Sequence, residues 1–516
     1  MKLNYKRTIF VGFAFFLICA FWQAYDNTIP LILTNKFGLS QTASGVVMAL
    51  DNILALFMLP LFGALSDKCR HRLGCRTPFI LVGTIVAAVA FVGLTFADNM
   101  QLKQIDKVSA IDDPAALTEI YDREKDTELQ TPDGDQFVLS EKFSAEEFAA
   151  IRSQITNDAG KTVTNPHYTN YVVPARQAYA WSVTKDGTAP LIFFMVLLLI
   201  VLVSMATFRS PAVALMPDVT IKPLRSKANA VINLMGSAGG ILVLGLGMVF
   251  ATSAVKNALM SYTLYFSVIA GIMLLALLIF MLKVKEPKLV EKMRQESKVY
   301  GIDEDDGDGS GSRKLSRDER KSLAFLLASI VLWFMGYNAV TSKYSVYASN
   351  ILHKDYNLTL IIAQAAAILS YLPVGMVASK VGRKKTILAG VVMLTAAFGV
   401  ACFLREDSPT MLMNAMFALA GIGWATINVN SFPMVVELCR GGNVGKYTGF
   451  YYTASMAAQT VTPMISGFFM DQFGMTMLFP YAAVFAAMAF GTMLFVMHGD
   501  NKPLAKKGLE ALDVED

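Results

Sequence analysis

Charge is what this chain has least of. Asp, Glu, Lys and Arg make up 16% of its 516 residues, against about a quarter in a soluble domain. A soluble chain of this length would divide into several domains, each with its own polar surface. The four histidines, His71, His167, His353 and His498, are scattered over loops and ends at no metal-ligand spacing, which removes the usual metal centres. The cysteines, Cys19, Cys69, Cys75, Cys402 and Cys439, follow neither a disulfide framework nor a zinc pattern and read as free thiols. No phosphate-cradling Gly-Lys-Ser/Thr loop occurs, which argues against an ATP-driven machine. No catalytic constellation appears, so the chain does not read as an enzyme and calls for no cofactor. The net charge of +5 comes without a basic stripe interleaved with aromatics, so nucleic acid is not a partner.

Apolar residues are what is abundant, at 54%. They gather into twelve runs long enough to cross a bilayer: 8–33, 41–66, 78–97, 189–211, 227–252, 261–283, 322–346, 357–379, 385–404, 409–435, 447–470 and 475–497. Lys2, Lys6 and Arg7 before the first run mimic a signal peptide, but the run is too long and lacks a small-residue cleavage site, so it reads as a retained helix. An even number of spans puts both termini on one side. Lys68, Arg70, Arg72 and Arg76, then Lys222, Arg225 and Lys227, then Lys380, Arg383, Lys384 and Lys385 mark that side as cytoplasmic, because short basic loops stay inside. The other loops carry little beyond Lys36, Lys256, Lys354 and Arg405.

The expected organisation is a first bundle from 1–97 and 189–283, interrupted by an extracellular insert at 98–188. A cytoplasmic linker at 284–321, a second bundle at 322–498 and a tail at 499–516 follow. The insert is acidic and is expected to be small and partly ordered, with a helix over Glu141–Ile155 that aligns Phe143, Phe148 and Ile151 on one face. In the linker, Asp303–Ser312 partly imitates a calcium loop. Arg317 stands where the closing Glu belongs, so a flexible linker is the better reading.

Two acids stand out against this background. Asp26 and Asp51 lie inside the first and second runs, where an ionisable group costs several kcal/mol unless it faces a protein-lined cavity. A carboxyl that changes its proton at working pH is what coupling to a proton gradient requires. Arg209, in the fourth run, is the natural counter-charge. The halves also repeat one another. Trp22-Gln-Ala-Tyr-Asp26-Asn27 in the first run matches Trp333-Phe-Met-Gly-Tyr337-Asn338 in the seventh, Asn52 falls opposite Gln364, and Pro217-Asp218 matches Val436-Glu437. Same-direction repeats of six helices place a substrate between the halves.

These features resemble the major facilitator superfamily over the whole chain apart from the insert. The stretch from Gly63 to Pro78 (GALSDKCRHRLGCRTP) is similar to the sucrose-transporter and glycoside-pentoside-hexuronide:cation symporter branches, as is Pro211–Asp218 (PAVALMPD) followed by Arg225–Asn229 (RSKAN). Two departures stand. Val213 occupies the place where sucrose transporters keep an arginine, with Arg209 one turn earlier on the same face, and Ser379 replaces the usual Asp of the second loop.

The resemblance implies an all-α membrane protein, with twelve transmembrane helices in two pseudo-symmetric six-helix bundles and a central cavity lined by helices 1, 4, 7 and 10. Aromatic faces and amides suit a sugar, so Trp22, Asn27, Asn52, Arg209, Trp333, Tyr337, Asn338, Gln364 and Asn428 become candidate substrate residues, and Asp26 and Asp51 the ion couplers. Trp424 and Asn430 flank Asn428 within two turns, while Asn233, Tyr452 and Gln459 are weaker site candidates, since polar residues on those helices also bond helix to helix. Lys343 reads as a lysine snorkelling to the interface, with substrate contact as the alternative. Asp67, Arg76, Asp218, Arg225, Glu437 and Lys446 look like the superfamily's cytoplasmic gate. The leading expectation is a monomeric, proton-coupled sugar importer in the cell membrane. A sodium-coupled glycoside symporter, a drug/proton exporter and a non-transporting sensor are the alternatives.

Overall fold

The computed structural model describes residues 3–156, 162–221, 224–300, 316–437 and 444–498, with only the backbone described at 225–227, 230, 372, 379, 436–437, 444–446 and 448. The linker stretch Asp303–Ser312, Cys439 and the tail fall outside the described residues.

Each expected apolar run lies on one long helix, since in hydrocarbon a helix is the only single segment that pairs all its own backbone groups. The first bundle holds α1 (Tyr5–Asn35), α2 (Gln41–Lys68) and α3 (Thr77–Gln104). The insert follows, with α4 (Pro114–Glu124), α5 (Leu139–Lys142), α6 (Ala145–Ala150) and α7 (Val173–Asp186). The bundle resumes with α8 (Ala189–Asp218), α9 (Arg225–Val249) and α10 (Thr263–Lys283), and α11 (Glu286–Val299) opens the linker. The second bundle is α12 (Arg317–Tyr347), α13 (Tyr356–Val381), α14 (Arg383–Ala401), α15 (Thr410–Glu437), α16 (Val444–Phe473) and α17 (Leu478–Leu494). Ten helical stretches among the described residues are long and apolar enough to cross a membrane, and Tyr356–Tyr371 is a shorter apolar one.

Start signals are local and visible in the sequence. Ser40 caps α2 by accepting from the Ala43 N–H, Asp355 caps α13 from Asn357, and Ser316 with Glu319 forms a reciprocal capping box at α12, each satisfying amides the first turn leaves open. Among the described residues the large buried clusters number three: one mainly from α1–α3 with α8–α10, one mainly from α12–α17, and one inside the insert.

The insert is more ordered than its composition suggests. Two short hairpins, β1 (Glu128–Gln130) with β2 (Gln136–Val138) and β3 (Gln154–Thr156) with β4 (Thr162–Thr164), join its helices around a core that includes Leu117, Ile120, Phe137 and Phe148. The helix expected over Glu141–Ile155 is broken. α5 stops at Lys142, and a capping box of Ser144 and Glu147 starts α6 afresh. Phe148 and Ile151 are nevertheless buried as expected, because a broken element still delivers its apolar side chains to one core.

Polar contacts define two faces. On the terminal face, Arg7 meets Glu296 and Ser322 meets His498. On the insert face, Lys36 reaches Asp98 at 2.6 Å and the Met260 carbonyl at 2.7 Å. Lys36 and Asp98 are almost fully buried, although the sequence placed Lys36 in a loop. Removing one partner strands a buried charge. Lys36→Met alone should therefore cost about 3–5 kcal/mol of stability, with most of it recovered in Lys36→Met/Asp98→Leu. Thermal unfolding of the two variants in one detergent checks this, and equal losses would contradict it.

The two bundles meet along seams on the insert face. Asp471 of α16 accepts from the Gln41 N–H at 2.8 Å, the Thr42 N–H at 2.7 Å and the Thr42 hydroxyl at 2.5 Å. Its carboxylate thus caps the N-terminus of α2 from the opposite bundle, where negative charge is favoured. Lys343 of α12 does not snorkel. It is fully buried and donates to the Gln41 carbonyl at 2.6 Å. A second seam joins α9 to α13 through Thr252 and Tyr356 hydroxyls 2.6 Å apart and the Ser253 hydroxyl donating to Asp355 at 3.0 Å.

Candidate functional site

Between the bundles lies a cavity of about 360 Å³. Its walls come from α1, α9, α12, α13, α14 and α15, with Gln23, Asp26, Asn27, Tyr337, Gln364 and Asn428 as its main polar or aromatic lining. It runs from the depth of Asp26 toward the terminal-face ends of the helices, where Phe15, Leu234 and Tyr371 line it. Tyr337 stacks flat on Trp424, ring centres 3.6 Å apart and planes 4° from parallel. Such a slab offers a broad apolar face to a flat ligand. The carbonyl oxygen of the Gln364 side chain is buried there and accepts no hydrogen bond among the described residues. An unmet buried acceptor is costly, so it stands ready for a ligand donor.

A second, smaller chamber of about 160 Å³ adjoins it. Trp22, Asp26, Asp51, Asn52, Arg209, Asn338, Ser342 and Gln459 line it. Asp26 and Thr341 border both spaces. Proline shapes the chamber walls: Pro30 and Pro463 have no N–H to offer the Asp26 and Gln459 carbonyls one turn earlier, so two backbone acceptors lose their helical donors. Asn52 donates to its neighbour Asp51 at 2.8 Å. The Arg209 guanidinium lies 5.7 Å over the Trp22 ring. Among the described residues it forms no ion pair within 4.0 Å, so the direct pairing expected with a cavity carboxylate is absent in this state.

The candidate substrate residues therefore sort into three places. Asn27, Tyr337, Gln364 and Asn428 face the large cavity, while Trp22, Asn52, Arg209 and Asn338 face the small chamber. Trp333 faces neither. It is fully buried in the second bundle's core, one turn nearer the terminal face than Tyr337 on the same side of α12, and on α12 the cavity lining begins only at Tyr337. Gln23, Trp424 and Thr341 were passed over as site residues yet line the cavity, as does Asn233, one of the weaker candidates. Gln459 likewise belongs to the small chamber, whereas Asn430 turns back to the Thr426 carbonyl.

On the terminal face Arg76 binds Asp67 at 2.5 Å and Asp218 at 2.8 Å, and bonds Ser66. Glu286 accepts from the Cys75, Arg76 and Thr77 amides. This network ties α2, α3, α8 and α11 within one bundle and does not itself bridge the halves. The side chains of Arg225, Glu437 and Lys446, the remaining gate candidates, lie outside the described residues.

Two bundles around a cavity that holds acids and aromatics have a counterpart among known families: the MFS_1 like family matches residues 13–481. The chain belongs to this family. It is a multi-pass membrane protein of the major facilitator superfamily, a transporter rather than an enzyme. Its fold is similar to a crystal structure of a D-xylose-proton symporter (TM-score 0.57, 16% identity, covering 96% of this chain and 99% of that one). The inward open xylose transporter XylE from E. coli is similar over 99% of each chain (TM-score 0.56, 16% identity). A point mutant of the nucleoside transporter NupG is similar over 95% of this chain and 100% of that one (TM-score 0.54, 12% identity). No curated protein matches the sequence.

Proposed function

We propose that this transporter carries a sugar, as a glycoside or disaccharide, into the cell together with a proton, through twelve spans with the insert face outside and both termini cytoplasmic. The observation that carries this reading is Asp26, which borders the cavity and the polar chamber at once. One carboxyl then touches both the solute space and the space holding Asp51 and Arg209, the geometry by which protonation and solute binding influence one another. Amides and a stacked aromatic slab match hydroxyls and the apolar faces of sugar rings, and the basic loops of the terminal face support the orientation.

Sodium is the second reading for the ion, since the chamber is rich in oxygen ligands. The fixed charge of Arg209 in the same small space disfavours a second cation there and leaves the proton ahead. A nucleoside is the second reading for the solute, because the Tyr337–Trp424 slab would also stack on a base. Counterflow of labelled monosaccharides, disaccharides and uridine in proteoliposomes, each with a pH or a sodium gradient, decides among them. Sodium-driven uptake without a pH effect would overturn the proton assignment.

Arg209 supplies an independent check. Its guanidinium keeps its charge when buried and offers donors in a fixed fork, which an ammonium cannot reproduce. Arg209→Lys is expected to weaken solute binding about tenfold, the equivalent of one lost charge-assisted bond, and to change its pH dependence. Unchanged affinity and pH profile would leave Arg209 as a packing residue over Trp22.

A further inference from the structure

The 98–188 insert is rooted in one bundle and seated on the other. Its roots are deep. The Gln177 amide donates to Asn35 at 3.0 Å, the Thr184 hydroxyl to the Phe37 carbonyl at 3.0 Å, and the Gln101 amide to Thr184 at 2.9 Å. Leu259 and Val255, from the α9–α10 connection, belong to its apolar cluster. The insert therefore moves with the first bundle.

Its seat on the second bundle is small and made of backbone. The β1–β2 hairpin turns through Thr131–Asp135, closed by the Gly134 N–H donating to the Thr131 carbonyl at 2.9 Å. The tip meets the α16–α17 connection, where the Met475 N–H donates to the Pro132 carbonyl at 2.7 Å. Glycines on both sides permit this approach. Gly134 (φ +104°) would place a Cβ 2.6 Å from the Phe473 carbonyl oxygen, and Gly474 (φ +93°) would place one 2.5 Å from the Asp133 carbonyl carbon. Both hold left-handed conformations that other residues rarely adopt. Between roots and seat the insert roofs a cavity of about 420 Å³ walled by Gln41, Gln177, Trp181, Asp471 and Met475.

We propose that the insert is a clasp: its hairpin tip holds the α16–α17 connection while the two bundles are closed on the insert face, and lets go each time they part. The inference rests on the chain being a transporter whose halves separate. The roots bury apolar surface and polar bonds and cannot slip without unfolding the insert, whereas the seat is one backbone hydrogen bond and a glycine-to-glycine contact. The seat is the part that gives. The clasp biases the resting protein toward the closed insert face and slows its opening.

The test measures distances and needs no solute. In a background without the native cysteines, Lys256→Cys and Asp407→Cys place spin labels at exposed sites on opposite bundles. Replacing Thr131–Asp135 by a two-residue Asn-Gly turn keeps the Gln130–Gln136 pairing, since such turns close tight hairpins, and removes only the tip. The long-distance population is expected to rise about threefold or more, as the loss of one net hydrogen bond predicts. An unchanged distance distribution in a monodisperse variant would overturn the clasp. Pro132→Cys/Met475→Cys gives the converse arm. Oxidation should cross-link tip and seat and stop counterflow, and reduction should restore it. Absence of the cross-link, or full transport in the oxidised form, would equally overturn it. If no solute moves even in the unaltered protein, the proposed function fails while the distance measurement still decides the clasp.

Discussion

Asp26→Asn should abolish gradient-driven accumulation while leaving exchange of bound solute in place. Asparagine keeps the size and hydrogen-bonding edge of the carboxyl but can neither lose nor gain a proton in the working range. For one proton per solute, a gradient of one pH unit supports about tenfold accumulation in the absence of a membrane potential, each factor of ten being about 1.4 kcal/mol. The variant should fall to no accumulation at all, a ratio near one, while counterflow persists because Asn27, Gln364 and the Tyr337–Trp424 slab still line the cavity. Asp51→Asn serves as the contrast. Asp51 lines only the small chamber, so its loss should shift the pH dependence without removing the coupling group that touches solute space. Full proton-driven accumulation by Asp26→Asn would transfer the coupling role elsewhere, with Asp51 the first alternative.

Much of this site could be read from the sequence because membrane helices make polar residues conspicuous. Asp26, Asn27, Tyr337, Gln364 and Asn428 stand in apolar runs where an unsatisfied polar group is expensive, and all five line the cavity. The repeat located helices α1 and α12 correctly but not the depth at which the cavity starts, so Trp333 was assigned the neighbourhood that Tyr337, one turn on along the same face, and Trp424 occupy. What stayed hidden involves main-chain atoms. Lys343 finds its acceptor in the Gln41 carbonyl, 302 residues away in sequence, and the docked hairpin tip reaches the Met475 N–H. Neither partner is advertised by a side-chain type. The insert's composition argued for partial order because most of its acidic residues, Asp98 and Glu124 apart, face outward, while the few buried apolar residues that fold it, such as Leu117, Ile120 and Phe148, are too dispersed to show a period.

A close backbone approach between the bundles sets the remaining large effect. At Gly45 of α2 an added Cβ would stand 2.0 Å from the Pro463 carbonyl oxygen of α16, and at Gly467 of α16 one would stand 2.3 Å from the Gln41 carbonyl oxygen of α2. Both obstacles are backbone, so no side chain can rotate away and relieve them. The two helices reach this contact only because each presents a bare Cα, as in other tightly crossing membrane helices. Within its own bundle α2 gains nothing from that bareness, and glycine costs about 0.5–1 kcal/mol relative to alanine inside a helix. Gly45→Val should therefore leave the first bundle intact and selectively forbid the closed insert face. Transport is expected to fall below a tenth of the original, because a carrier held open on one side completes no cycle. A cysteine introduced at Gln41, buried at this seam, should become reactive to a membrane-impermeant thiol reagent from the insert side. Gly45→Ala, with a smaller intrusion, should lie between. Normal transport by Gly45→Val would show that the helices pass one another with room to spare and that the seam is not the barrier on this face.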